Sequence, residues 1–189
     1  MKNSLIILAV FVMFSCKSQE YPINTMPMNL PNDSYIKDYN NELDSFIGVF
    51  KTLYNGKEIT LDISKKIKKK FTRNSSTVSY YYKDALVIRF LIKGSFGNVL
   101  QTTLNSLDDE KHFISNTIVL TPQNIVKFYY TGADCGIGWG NIEIKKLNNV
   151  QISWSYYPNS TTLDNINCPN PIDTKVYLPE TENLVFTKQ

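Results

Sequence analysis

The sequence predicts an all-β protein, a single antiparallel β-barrel of about eight to ten short strands. Three observations predict it. Apolar and polar residues alternate at period two in short runs, the pattern of half-buried strands. Asn, Gly and Pro turn signals recur at about 8–12-residue intervals, the spacing of barrels and sandwiches. No stretch of the domain carries the spacing of an amphipathic helix.

The elements follow in chain order. Residues 1–15 read as a signal peptide: Lys2 supplies the positive start, and Leu5 to Phe14 is an unbroken apolar run. That run is far short of the roughly 20 residues of a spanning helix. Ser15-Cys16 follows at once and resembles the lipobox of bacterial lipoproteins, where the Cys is acylated and becomes the new N-terminus. Met13 and Phe14 stand where Leu and a small residue are usual. An ordinary cleaved signal with an incidental Cys is the alternative. The lipobox resemblance implies a membrane partner through Cys16 and a place in the bacterial cell envelope, as an outer-membrane lipoprotein on the periplasmic face or the cell surface. Residues 16–42 carry Pro22, Pro27 and Pro31 and read as the lipidated cysteine and an extended, flexible tether, with Tyr35, Ile36 and Tyr39 as one helical turn at the domain's end. Residues 43–189 are the barrel domain.

Gly48 to Tyr54 meets Lys57 to Ser64 across Asn55-Gly56, the residues that a type I′ turn demands. A two-residue turn pairs Thr52 with Ile59, Phe50 with Leu61 and Gly48 with Ile63. Ala85 to Lys93, Val99 to Leu104, Phe113 to Leu120 and Ile125 to Tyr130 continue the strands, with Thr121-Pro122-Gln123-Asn124 as turn chemistry between the last two. Asn141 to Leu147 and Gln151 to Tyr156 form a further hairpin. A two-residue turn there would mix the faces; one more residue pairs Ile144 with Trp154 and Ile142 with Tyr156. A three-residue turn or bulge with a left-handed Asn is expected. Lys175 to Leu178 and Leu184 to Thr187 close the series.

Of the three cysteines, one is assigned to lipid, leaving Cys135 and Cys168. In an oxidising compartment an even pair forms a disulfide; two free thiols, or a reactive Cys135 with a base nearby, are the alternatives. The chain has one histidine, His112. Beside Asp108, Asp109 and Glu110 it makes neither a zinc set nor a calcium loop, so no metal and no cofactor is expected. Without Lys2 the balance is 19 basic to 17 acidic side chains, too near neutral for nucleic acid to be the main partner. No catalytic set can be read.

Two stretches invite a functional reading. "DCGIGWG" holds Asp134, Gly136, Gly138, Trp139 and Gly140. Its glycine spacing and the strand after it do not fit a dinucleotide loop, which needs a helix there. It is either a bulged strand end whose glycines make room for packing, or a binding rim at the barrel mouth. Lys65, Lys66, Lys68, Lys69 and Lys70, with Arg73, are either a solvated hairpin tip or a contact for anionic lipid or polysaccharide.

"NELDSFIGVFK", "DALVIRFLIKGS", "DCGIGWGNIEIKK" and "YLPETENLVFTKQ" resemble a family of uncharacterised flavobacterial lipoproteins. The resemblance covers nearly the whole chain and brings no catalytic residue. Gly48-Val49-Phe50-Lys51 is also similar to the opening strand of lipocalin-like barrels, with Phe50 in the place of their Trp. It implies a binding barrel for a small apolar ligand or an envelope glycan. The alternative is a structural or protein-interaction module of the envelope, and a third reading is an enzyme working through carboxylates.

Overall fold

The computed structural model describes residues 19–73, 79–107, 114–118, 123–163, 168 and 173–189. The signal peptide, Cys16 and the residues from Asp108 to His112 lie outside the described residues. Among the described residues eleven strands join one sheet, and the helical elements are three single 3-10 turns at Pro27–Asn29, Glu42–Phe46 and Asp134–Gly136. The strands are β1 Glu20–Pro22, β2 Tyr35–Lys37, β3 Gly48–Tyr54, β4 Lys57–Arg73, β5 Ser79–Lys93, β6 Val99–Thr102, β7 Ile114–Ile118, β8 Ile125–Tyr130, β9 Gly140–Lys146, β10 Gln151–Pro158 and β11 Leu184–Lys188.

Eight strands curl into a barrel. The ladders run β3–β4–β5–β7–β8–β9–β10–β11, and β11 returns to β3 through Thr187↔Lys51 and Lys188↔Phe50. Two seams, β11–β3 and β5–β7, hold two residue pairs each, whereas β3–β4 and β9–β10 pair along seven. The Asn55-Gly56 hairpin has the expected register, with Asn55 and Gly56 at φ 48° and 73°. So does β9–β10, with Ile144↔Trp154 and Ile142↔Tyr156. Its turn spans three residues, but no Asn there is left-handed. The Asn148 side-chain oxygen instead accepts the Val150 N–H at 2.9 Å, which closes the turn locally.

The interior is filled by rings. Phe90 on β5 meets Tyr130 on β8, Tyr130 meets Tyr156 on β10, and Trp154 links Tyr156 to Phe186 on β11, all at centroid separations of 6.1–6.4 Å. Each of these five side chains is fully or nearly fully buried. Such tilted and edge-on pairs add specific geometry to the apolar burial. The Trp154 indole N–H is satisfied by the Pro179 carbonyl at 3.1 Å. At the opposite end from the Asn55-Gly56 turn, Leu43 and Phe46 are buried at the foot of β3.

β4 and β5 do not stop with the barrel. After a bulge between Lys66 and Lys69, pairing continues from Lys69↔Lys83 to Arg73↔Ser79. The lysine run is therefore strand, not hairpin tip. The long partner strand holds it there: across the ladder Lys65 pairs with Leu86, Lys66 with Ala85, Lys69 with Lys83 and Lys70 with Tyr82. On its other edge β5 takes β2 at Tyr82–Lys83, β7 at Val87–Ile88 and β6 at Leu91–Lys93.

From Glu20 on, the predicted tether is part of this wing. β1 pairs parallel with β2, and β2 parallel with β5, a strand and not the expected helical turn. Ile36 is completely buried. Asp84, itself buried, accepts the Tyr35 hydroxyl at 2.6 Å and the Asp38 and Lys68 backbone N–H groups at 3.0 Å. Asp38 in turn accepts the N–H groups of Glu42 and Leu43, which orients the turn that carries Leu43 and Phe46. Lys175 to Leu178 is not a strand either; it crosses the barrel mouth as extended chain, with Leu178 buried beneath.

Candidate binding site at the barrel mouth

The end of the barrel that carries the Asn55-Gly56 turn also carries the stretch from Thr131 to Trp139 and the segment before β11. Cys135 and Cys168 are joined there, Cα–Cα 5.7 Å, with Cys135 left-handed at φ 56°. This disulfide pins the stretch to the long connection between β10 and β11. Closing a loop of that length stabilises by about 3–4 kcal/mol in the chain-entropy model.

The glycines serve packing. Gly140 pairs with Pro158, and a Cβ on it would overlap the Tyr157 carbonyl, so β9 can begin only with glycine here. Gly138, at φ 72°, lies beneath Val176 and accepts the Tyr156 hydroxyl on its carbonyl. Burial is the main cause that raises the Tyr156 phenol above its ordinary pKa, and it pushes Tyr130 up to about 12. Gly136 accepts the Thr161 hydroxyl at 2.9 Å.

Trp139 and Asp134 do not share a site. Trp139 lies against Tyr129 at 6.2 Å and donates its indole N–H to the Ser160 carbonyl at 3.2 Å. Tyr129 alternates with the buried Phe128 and Tyr130, so this pair decorates the outer wall. Asp134 instead lines a groove of about 160 Å³ with Leu100, Gln101, Ala133, Asp173, Lys175 and Tyr177. Below it, the space between Tyr130, Ile137, Val176 and Leu178 has no room for a water molecule. The groove is thus a rim feature above this closely packed layer.

Its chemistry is polar with one ring. Tyr177 donates to Asp173 at 2.6 Å, and Asp173 also accepts the Lys175 N–H at 2.9 Å. These bonds, the Tyr177 one first, hold the Asp173 carboxyl below its ordinary pKa and the Tyr177 phenol above its own. Lys57 and Lys175 approach the Tyr177 ring at 5.7 and 5.5 Å. Asp173, Lys175, Tyr177 and Gln101 escaped the sequence reading. The signal was present as an alternation of Asp173, Lys175 and Tyr177, but it reads equally as a strand.

The lysines of β4 divide. Lys65 is a structural residue: its ammonium reaches Asp38 at 2.9 Å and Asp44 at 2.7 Å. Burial works to lower its pKa, but the bonds to Asp44 and Asp38 outweigh it and the net shift is upward. It is therefore no surface contact. Lys66 and Lys69 are engaged within the chain. Lys68 and Lys70 are exposed, Lys68 near the Tyr35 and Tyr82 rings and Lys70 4.1 Å from the Tyr80 ring centre. Among the described residues no cluster of His, Cys, Asp and Glu could hold a metal ion.

Fold and groove together define an all-β barrel protein with a ring-rich core among its described residues and a small polar cleft at its mouth. The chain belongs to DUF6705, a family of unknown function whose model matches residues 1–189. No curated protein and no solved structure matches it.

Proposed function

We propose that this is a lipid-anchored envelope protein whose barrel mouth binds one terminal unit of an envelope glycan. The observation that carries the reading is the groove itself: two carboxylates, an amide and an ammonium around one tyrosine ring, in a volume close to that of a single sugar. Hydroxyls that bridge such groups make charge-assisted hydrogen bonds, and a ring gives an apolar sugar face a place to rest. The ring-filled interior argues against a small apolar ligand held inside the barrel. Calorimetric titration with oligosaccharides released from the envelope tests the reading. Tyr177→Ala and Asp134→Asn are expected to weaken binding about tenfold, the scale of one lost charged hydrogen bond. Trp139→Ala, on the outer wall, is expected to leave it unchanged. Binding by no glycan fraction, or equal binding by Tyr177→Ala, would overturn the reading.

A second reading, a protein-interaction module, draws on the neighbouring turns. Phe96 is 96% exposed and Leu53 77%. Leu53 borders a cleft of about 320 Å³ that includes Glu58, Lys93, Ser95 and Gly97. Crosslinking in intact envelopes that captures the same protein through this cleft, and loses it in Phe96→Ser, would favour it; no reproducible capture counts against it.

A further inference from the structure

We infer that the tyrosine- and lysine-bearing face of the β2–β5–β4 wing rests on anionic lipid headgroups and fixes the orientation of the barrel on its membrane. The inference takes over from the function proposed above one element, acylation of Cys16, and is independent of the glycan site.

Geometry points to the wing. Among the described residues the first strand, β1 at the wing's edge, begins at Glu20. Three residues separate it from Cys16. Extended, they reach about 14 Å. A lipid on Cys16 therefore holds the wing, rather than the mouth, against the bilayer. The register then sets what is presented. Lys70, Tyr82, Tyr35 and Glu20 lie in one row across β4, β5, β2 and β1. Their side chains share one face, because paired residues in a sheet point the same way. Lys37 pairs with Glu20 at 3.1 Å, and Asp33 bonds Tyr80, so the acids of this face are occupied. Lys68 and Lys70 carry its outward positive charge. Ile67, 65% exposed, adjoins Lys68 in the bulge and adds an apolar contact.

The composition fits a headgroup layer. Tyrosines are favoured at the membrane–water interface, where one end of the ring is apolar and the other wet. Basic side chains beside an anionic leaflet bind roughly fivefold more tightly per Lys, an effect confined to about a Debye length. The anchor supplies that proximity.

The test uses the acylated full-length product, extracted from its own membrane and placed in vesicles of phosphatidylglycerol with phosphatidylcholine, in phosphatidylcholine alone, or in detergent. Lysines are amine-labelled and read by mass spectrometry. Labelling of Lys68 and Lys70 is expected to fall about threefold or more on the anionic vesicles only, and to recover at high salt. Lys127 and Lys145, on the β8–β9 wall, should label equally in all three. Equal labelling of Lys68 and Lys70 on anionic vesicles and in detergent overturns the inference, as does protection on neutral vesicles that salt does not relieve. In the anionic arm, Lys68→Gln/Lys70→Gln should leave Lys37 more readily labelled, while Lys127→Gln/Lys145→Gln should not; identical behaviour of the two pairs also overturns it. The intact mass separates the two ideas. A Cys16 without lipid removes the anchor reading alone, and the same protein added to the same vesicles then decides whether the face binds by itself.

Discussion

Lys83 is 2% exposed on β5, with Ile36 beside it on β2 and Lys69 on β4. Burial alone pushes its ammonium down to about 8. An unfolded lysine titrates near 10.4. Below about pH 8 both states hold the proton, and the folded state bears the whole cost of burying the charge. Between about 8 and 10.4 the unfolded chain binds more protons, so stability rises with pH. Above about 10 the sign reverses. Tyr35, Tyr130 and Tyr156 have raised pKa values, burial first among the causes, and keep their protons folded when unfolded tyrosines lose theirs. Urea titrations should therefore give a stability maximum near pH 10. Lys83→Met should flatten the rise and add on the order of 2 kcal/mol at pH 7. A wild-type profile that is level from pH 7 to 9.5 would remove this reading of Lys83. Asp84 is the opposite case, a buried carboxylate with three donors. Asp84→Ala leaves those donors unpaired and should cost about 3 kcal/mol, read from the urea midpoint.

At the scale of elements, the legible parts were those with local chemistry. Asn55-Gly56 set its own register, and the mismatch of faces around Asn148 set the other. Cys135 and Cys168 form the disulfide expected of an even pair, and the double variant Cys135→Ser/Cys168→Ser should lose about 3 kcal/mol in denaturant titration. What stayed hidden depends on partners distant in sequence. Nothing near Tyr35 announces that Asp84, 49 residues on, will take its hydroxyl. Nothing in a run of lysines shows that Leu86, Ala85, Lys83 and Tyr82 of the next strand will pair with it, so the run reads as a tip. At the mouth, Asp134 was singled out with Trp139 because they are near in sequence, yet the fold turns Trp139 outward and sends Asp134 to residues about forty positions later. The Asp173–Tyr177 stretch alternated like a strand but had no ladder left to join, because β11 already fills the place between β10 and β3.

Over the whole molecule, β5 is the common spine. From Tyr82, where the wing begins, to Lys93 at the mouth is about 37 Å of strand. The mouth groove and the wing therefore sit at opposite ends, and on the proposed reading glycan affinity measured on vesicles should match that in detergent within about twofold. Chain starting at Leu43 would lack β1 and β2 and uncover the Tyr82–Lys83 edge of β5. Exposed strand edges invite pairing with another copy. Light scattering should show that form self-associating where the full chain does not.

The parallel attachment of β2 has a mechanical consequence. If the N-terminus is anchored as proposed, a pull on it reaches the barrel through Tyr35↔Tyr82 and Ile36↔Lys83, the backbone bonds to Tyr80 and Tyr82, the Arg73 bonds to the Leu30 and Pro31 carbonyls, and the Asp84 and Asp38 carboxylates. The seven-pair ladders β3–β4 and β9–β10 lie beyond that junction. Under load on such an anchor the short parallel strands β1 and β2 are expected to give way before the long ladders, so that the N-terminal segment would serve as a resettable fuse.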